Sequence, residues 1–302
     1  MAHELFNFGA PADPALQQDY QLWLTSTKEK AKFPPLTAEE KTRPYAKFFR
    51  DMVPADPAHL ALFEQPCDPA QALYPDQINR LLNPGYLEVE SGWCVLPNGA
   101  GFVADHNRYE GMTAEMIDWW FAWHCLEDAR YRIWNPQQHA GVMVSSAARK
   151  QILDPSIPMR EKYWGITHHV TEDAGAGTEN INICFLSPKD FGFDMQRFQE
   201  PTITTFVGGY GWSCPVDNSQ GLPPGPALMC HTFRNVPGGV EERTRFWIGY
   251  GFENGQPKLM LPPGVRIPAE AVQGLAYHST REFKNLSSFL PELYKTYKGE
   301  VA

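Results

Sequence analysis

A chain of 302 residues, 43% hydrophobic and 13% aromatic, is long enough for one large domain or a main domain with a small companion. Its net charge of −9 and pI near 5.5 argue against nucleic acid or an anionic membrane as the main partner. The N-terminus has neither a basic nor an apolar targeting segment, and no apolar run reaches about 18 residues, so no signal peptide or membrane span is expected. Cys67, Cys94, Cys125, Cys184, Cys214 and Cys230 form no Cys-x-x-Cys pair. They are expected to be free thiols in a reducing cytoplasm, which makes a cysteine-based zinc site an unsuitable reading.

In chain order, residues 1–85 are rich in proline and short polar stretches, and PPLTAEEK and VPADPAHLALFEQPCDPA predict short helices started by Thr, Asp and Pro. This N-terminal region is expected to pack on the main domain, residues 86–302, or on a partner subunit. YLEVESGWCVLPNGAGFVADH then predicts two strands joined at Pro-Asn-Gly. GMTAEMIDWWFAWHCLEDARYRIW predicts a helix over about 114–131, capped by Thr113 and ended before Asn135-Pro136. KYWGITHHVTE, NINICFLS, TITTFVGGYGW, ALMCHTFRN and RTRFWIGYGF read as strands, the last two joined by a VPGGVE hairpin. Within them, Val207-Gly208-Gly209-Tyr210-Gly211 suggests a bulge or close packing. IPAEAVQGLAYHSTREFKNLSSFL predicts a long C-terminal helix that ends or restarts at Pro291. An early helix, a run of antiparallel strands and a long final helix fit an α+β fold, a curved sheet wrapped on the helix with a cavity between them.

His278 and Glu282 stand four residues apart on that helix, on one face, a spacing that suits two ligands of one metal ion and equally an ordinary hydrogen bond. His124 lies in an apolar helix as either a core residue or a ligand, with Glu127 and Asp128 one turn on as ligand, orienting or substrate-contact candidates. Of His168 and His169 on one strand, a single ring can face a cavity. His231 lies mid-strand, and His139 reads as a loop or capping residue. Glu161 and Glu172 could each complete a histidine and glutamate set for zinc or a similar ion. A Gly-x-Ser-x-Gly elbow, a Walker A loop and a His-Glu-x-x-His motif are all missing from the sequence.

WWFAWHCLEDARYRIWNPQQH, REKYWGITHHVTED, SPKDFGFD, RTRFWIGYGF and AYHSTREF, in this order over residues 86–290, resemble the 2,4-diacetylphloroglucinol hydrolase family, which includes phloretin hydrolase. The resemblance implies a Bet v1-like helix-grip fold and a small N-terminal dimerisation region, hence a homodimer. It implies one Zn2+ per chain, placed on His124, His278, Glu282 and Glu161, with Glu172 as the alternative to Glu161. It implies hydrolysis of the carbon–carbon bond between an acyl group and a phenolic, acylphloroglucinol-like ring, with a small aromatic ketone as substrate. His231 and Glu127 are then the expected catalytic groups, and Met116, Trp120, Phe246 and His169 the expected substrate contacts. Met116, Glu127 and Phe246 align where the family's phenol and amide side chains are expected, so a different aryl ketone or β-diketone is a candidate substrate. Ester hydrolysis, cyclisation and simple carriage of an apolar ligand are the competing readings of the same scaffold.

Overall fold

The structure, a computed structural model, describes residues 14–219, 221 and 225–301. Residues 1–13 of the expected N-terminal region lie outside the described residues. The strands are β1 (Gly92–Val95), β2 (Gly101–Glu110), β3 (His139–Met143), β4 (Thr167–Asp173), β5 (Thr178–Phe185), β6 (Thr205–Pro215), β7 (Gly225–Val236), β8 (Gly239–Ile248), β9 (Tyr250–Glu253) and β10 (Gln256–Leu259). The helices are α1 (Pro14–Lys30), α2 (Pro57–Leu60), α3 (Ala114–Trp123), α4 (Asp128–Arg132), α5 (Ser146–Ile152), α6 (Pro188–Phe191), α7 (Ala269–Ser287) and α8 (Leu290–Tyr297). Eight strands form one antiparallel sheet in the order β1-β2-β8-β7-β6-β5-β4-β3, while β9 and β10 form a separate hairpin.

The long helix α7 has neighbours at both ends of this order. Thr280 donates to Asp105 of β2 at 2.6 Å, and Glu282 lies 3.2 Å from His139 of β3. One helix can touch both flanks only if the sheet curves around it, which is the α+β helix-grip arrangement. Pro291 stands in the first turn of α8 and separates it from α7.

Alternation along β8 sorts the two faces of the sheet. Phe246 and Ile248 face the cavity beneath α7. Arg243, Arg245 and Trp247 face the other side, where the stretch from Leu73 to Val89 covers them. There Trp247 donates its indole N–H to the Leu73 carbonyl at 2.6 Å, and Ala72, Leu73, Ile78, Leu81 and Leu82 share a core with Phe102, Leu228 and Trp247. The second large core lies on the helix side, around Trp119, Trp120, Trp123, Phe283 and Leu286.

Three local expectations change. The helix expected over 114–131 ends at Trp123; a 3-10 turn follows, and Glu127 is extended at φ −149° before α4 begins. That break turns Tyr131 toward the cavity. The glycine pair in β6 makes no bulge, because the register to β5 and β7 runs without a step. It is there for close packing, since a Cβ on Gly209 would sit 1.9 Å from the Cys184 carbonyl oxygen. Finally, His139 opens a strand rather than a loop.

Candidate metal centre and cavity

His139 reaches the cavity face through an irregularity in β3. It pairs with Glu172 of β4, whereas Gly141, two residues on, pairs with Thr171, only one residue back. A regular strand would put His139 on the same face as Gly141. The extra residue of the bulge turns it to the face of Glu172 instead. From the other side, α7 brings His278 and, one turn later, Glu282.

These four side chains converge. His139 Nε2 lies 3.2 Å from Glu282 and 3.5 Å from Glu172, and His278 Nε2 lies 3.6 Å from Glu282 and 4.0 Å from Glu172. Ligand atoms of His139, Glu172 and His278 all fall within 4.8 Å of one another. The other ring nitrogens are spoken for: His139 Nδ1–H donates to the Tyr131 carbonyl at 3.3 Å, and His278 Nδ1–H donates to Gln138 Oε1 at 3.1 Å. Asn135 in turn donates to Gln138 at 3.0 Å. Both Nε2 atoms therefore present lone pairs to the two carboxylates. His139 Nε2 is buried without a hydrogen-bond partner. The Tyr131 hydroxyl donates to Glu172, and its ring stacks on His139 at 4.0 Å.

Electrostatics point the same way. Burial, then the charge of His278, holds His139 well below the usual imidazole range, and burial pulls His278 down to about 4, so both rings are neutral. Burial pushes Glu172 up to about 7, and burial with the charges of Glu172 and Glu242 pushes Glu282 well above the carboxylate range. Two neutral imidazoles and two buried carboxylates, with one nitrogen unpartnered, are a donor set that fits a divalent transition metal. Asn135, Gln138 and Tyr131 supply the hydrogen bonds that orient such ligands.

Beside the group lies a cavity of about 310 Å³, walled by apolar residues such as Phe121, Ile183, Phe185, Met229 and Phe246. Its polar lining includes His231, whose Nδ1 lies 3.0 Å from Glu242 and 2.9 Å from Thr244. Glu242 also accepts from Tyr109 at 2.9 Å. The Glu242 contact fixes the ring of His231, and its face lies 4.9 Å from the Phe283 ring.

The sequence matches the family described as DAPG hydrolase PhiG domain over residues 73–295. The chain belongs to the DAPG hydrolase family. It is 34% identical over 261 residues to the phloretin hydrolase of Eubacterium ramulus, covering 85% of this chain and 91% of that relative. It is 30% identical over 282 residues to the 2,4-diacetylphloroglucinol hydrolase of a Pseudomonas species, covering 88% and 92%. Among solved structures, that of Ara h 8.0201 aligns with a TM-score of 0.36 at 9% identity over 64% of this chain and 98% of that one. Membership makes the chain an enzyme of the hydrolase class.

Of the residues expected at the DAPG hydrolase site, the structure brings His278 and Glu282 together, with Glu172 rather than Glu161. Glu161 ends an exposed 3-10 turn, Met159–Glu161, before β4 and is absent from the group. His124 is also outside it. At the end of α3, its Nδ1–H donates to the Trp120 carbonyl one turn back at 2.8 Å, and its ring stacks on Trp120 and lines the cavity elsewhere. The place expected for His124 is taken by His139. Its signal was the short apolar run HAGVMV between Pro136 and Ser145, which reads as a strand once the helix is ended early.

His231 and Phe246 line the cavity. Glu127 does not: the break after α3 points it at Tyr45, Arg43 and Arg130. Met116 packs on the helix-side core, and Trp120 is wholly inside that core. His169 faces away from the cavity, bonded to Asn182 and packed on Trp23 of α1, because its neighbours His168 and Val170 hold the inward positions of β4. Among the described residues no helix is long and apolar enough to cross a membrane.

Proposed function

We propose that this hydrolase cleaves the carbon–carbon bond between an acyl group and a phenolic ring, with one zinc ion held by His139, Glu172, His278 and Glu282. The observation that carries the reading is the buried, unpartnered His139 Nε2 beside two carboxylates, at the end of an apolar cavity. An ion bound there supplies Lewis acidity toward a carbonyl and activation of water at neutral pH. The names of the relatives, phloretin hydrolase and 2,4-diacetylphloroglucinol hydrolase, support an acylated phenol as the substrate class.

Overall, water adds to the acyl carbonyl carbon, the bond from that carbon to the ring breaks, and the ring carbon takes a proton. The products are a carboxylic acid and the deacylated phenol. The chain's part is to exclude bulk water, hold the ring and move that proton. The apolar walls contributed by Phe121, Phe185, Met229 and Phe246 do the first two. His231 is the proton carrier: its Nδ1 is held by Glu242, which leaves Nε2 to exchange a proton with the ring carbon or a phenol oxygen. Phe246 offers no hydroxyl, so the ring is held there by stacking.

The test is elemental mass spectrometry of the purified chain together with product masses from a panel of acylated phenols. About one zinc per chain is expected, with metal and cleavage both lost in His139→Ala and His278→Ala but metal retained in His124→Ala and Glu161→Ala. Full cleavage by metal-free protein, or recovery of every ketone unchanged by metal-loaded protein, overturns the reading.

A further inference from the structure

The cavity has a second polar end that the proposed chemistry does not use. Alternation along β4 puts His168, Val170 and Glu172 on its inner face, and all three line the cavity. His168 and Glu172 are four residues apart, so their backbones are separated by about 13 Å along the strand. Apart from His139 Nε2 in the metal group, His168 Nε2 is, among the described residues, the buried side-chain nitrogen without a hydrogen-bond partner that belongs to a residue lining the cavity. Its ring lies 4.6 Å from Phe185 and 5.3 Å from His124 at 75°, so no protein group is placed to serve it. His124 has given its Nδ1–H to the Trp120 carbonyl, which leaves its own Nε2 as a lone pair. Burial keeps both rings neutral, His124 at about 4 and His168 well below the usual range.

We infer that His168, backed by His124, is a positioning residue that receives a hydroxyl of the substrate at the end remote from the metal group. This rests on the reading of the cavity as an aryl ketone site. A hydroxyl both donates and accepts, so it satisfies His168 in either tautomer. An anion would find no counter-charge there, and an apolar end would leave the nitrogen bare. The distance along β4 exceeds one aromatic ring and its carbonyl, so the hydroxyl belongs to the far end of the acyl chain.

The probes are phloretin and its analogue lacking the hydroxyl on the acyl-side ring, tested on metal-loaded protein. The selectivity ratio is read from kcat/KM, or from tryptophan-fluorescence titration where a ketone is bound without cleavage. Wild type is expected to prefer phloretin about tenfold, the worth of one hydrogen bond plus the lost orphan. His168→Phe is expected to bring the ratio near one by weakening phloretin alone, while His168→Asn retains a preference. If His168→Phe does not fold, the smaller His168→Leu reads the same ratio. An unchanged ratio in the variant, a wild-type ratio near one, or no binding of either ketone overturns the inference. Binding preference without cleavage counts against the proposed reaction alone, and cleavage with an unchanged ratio counts against His168 alone.

Discussion

Tyr131 serves two of the four converging side chains at once. Its carbonyl takes the His139 N–H, its hydroxyl reaches Glu172, and its ring stacks on His139. Removing the hydroxyl in Tyr131→Phe leaves the fold and the stacking in place but frees Glu172 to turn. Metal affinity is expected to fall about 10- to 100-fold, as for other supports of ligand orientation, read by competition with a chelator; an unchanged affinity would show that Glu172 is held by its strand alone. Asp118 makes a second prediction at this scale. Burial pushes its carboxyl up to about 6, although Thr205 and Tyr163 hydroxyls donate to it. The folded state thus binds the proton more tightly than the unfolded chain. Its contribution is favourable at low pH and is lost as pH rises from about 4 to about 6. Asp118→Asn keeps an acceptor for both hydroxyls, so the difference in unfolding free energy between wild type and variant should change by on the order of 2–3 kcal/mol across that window and stay flat above it. His278 and Glu282 were legible because helix spacing is local. Glu172 could be named beside Glu161 but not chosen over it, and His139 was read as a loop or capping residue, since the meeting of His139 and Glu172 depends on cross-strand register and a bulge, which no short window of sequence states. His124 misled because a histidine after four aromatic residues looks singular, whereas its own helix satisfies one nitrogen.

At the scale of elements, α7 crosses the β4–β5 turn by glycine-to-glycine contact. A Cβ on Gly274 would stand 2.7 Å from the Gly175 carbonyl oxygen, and Gly175 itself adopts φ +104°. In an exposed helix Gly→Ala gains about 0.5–1 kcal/mol. Here the sign reverses, because backbone cannot yield as a side-chain tip can. Gly274→Ala is expected to cost about 1–3 kcal/mol in thermal or urea unfolding and to weaken metal binding by lifting His278 off Gln138. A variant more stable than wild type would mean that the helix rides higher than described. The long helix and most strands could be read from period and turn residues. The break after Trp123 could not, because LEDARYR keeps a helical composition through it.

For the whole molecule, the stretch from Leu73 to Glu90 that leads into β1 is bound to the outer face of the sheet by charge as well as by apolar packing. Glu90 pairs with Arg243 at 2.6 Å and Arg245 at 2.8 Å, both arginines being buried. Burial would raise Glu90, yet the two arginines hold it down to about 2. Glu90→Ala leaves two buried guanidinium groups without that partner and is expected to cost about 3–5 kcal/mol. The same pair gives a stabilisation present above about pH 4.5 and lost as pH falls toward about 2, so acid unfolding of wild type should be steeper than that of the variant. We also propose the division near residue 85 and the homodimer that the resemblance implies; light scattering that returns twice 34.2 kDa would support the dimer, and a monomer mass would reject it.

One of the four converging side chains, His139, stands at the margin of the sheet. β3 is the last strand in the order, with β4 as its one strand neighbour and the Val142 N–H donating to Asp128 at 2.8 Å, and it is five residues long. Margins open more often than centres. An ion bound at the proposed centre is then expected to leave by the fraying of one short strand, while the rest of the sheet stays closed. Exchange of the ion should be fast relative to global unfolding, and loading the ion should slow amide hydrogen exchange in β3 far more than in β7 or β8.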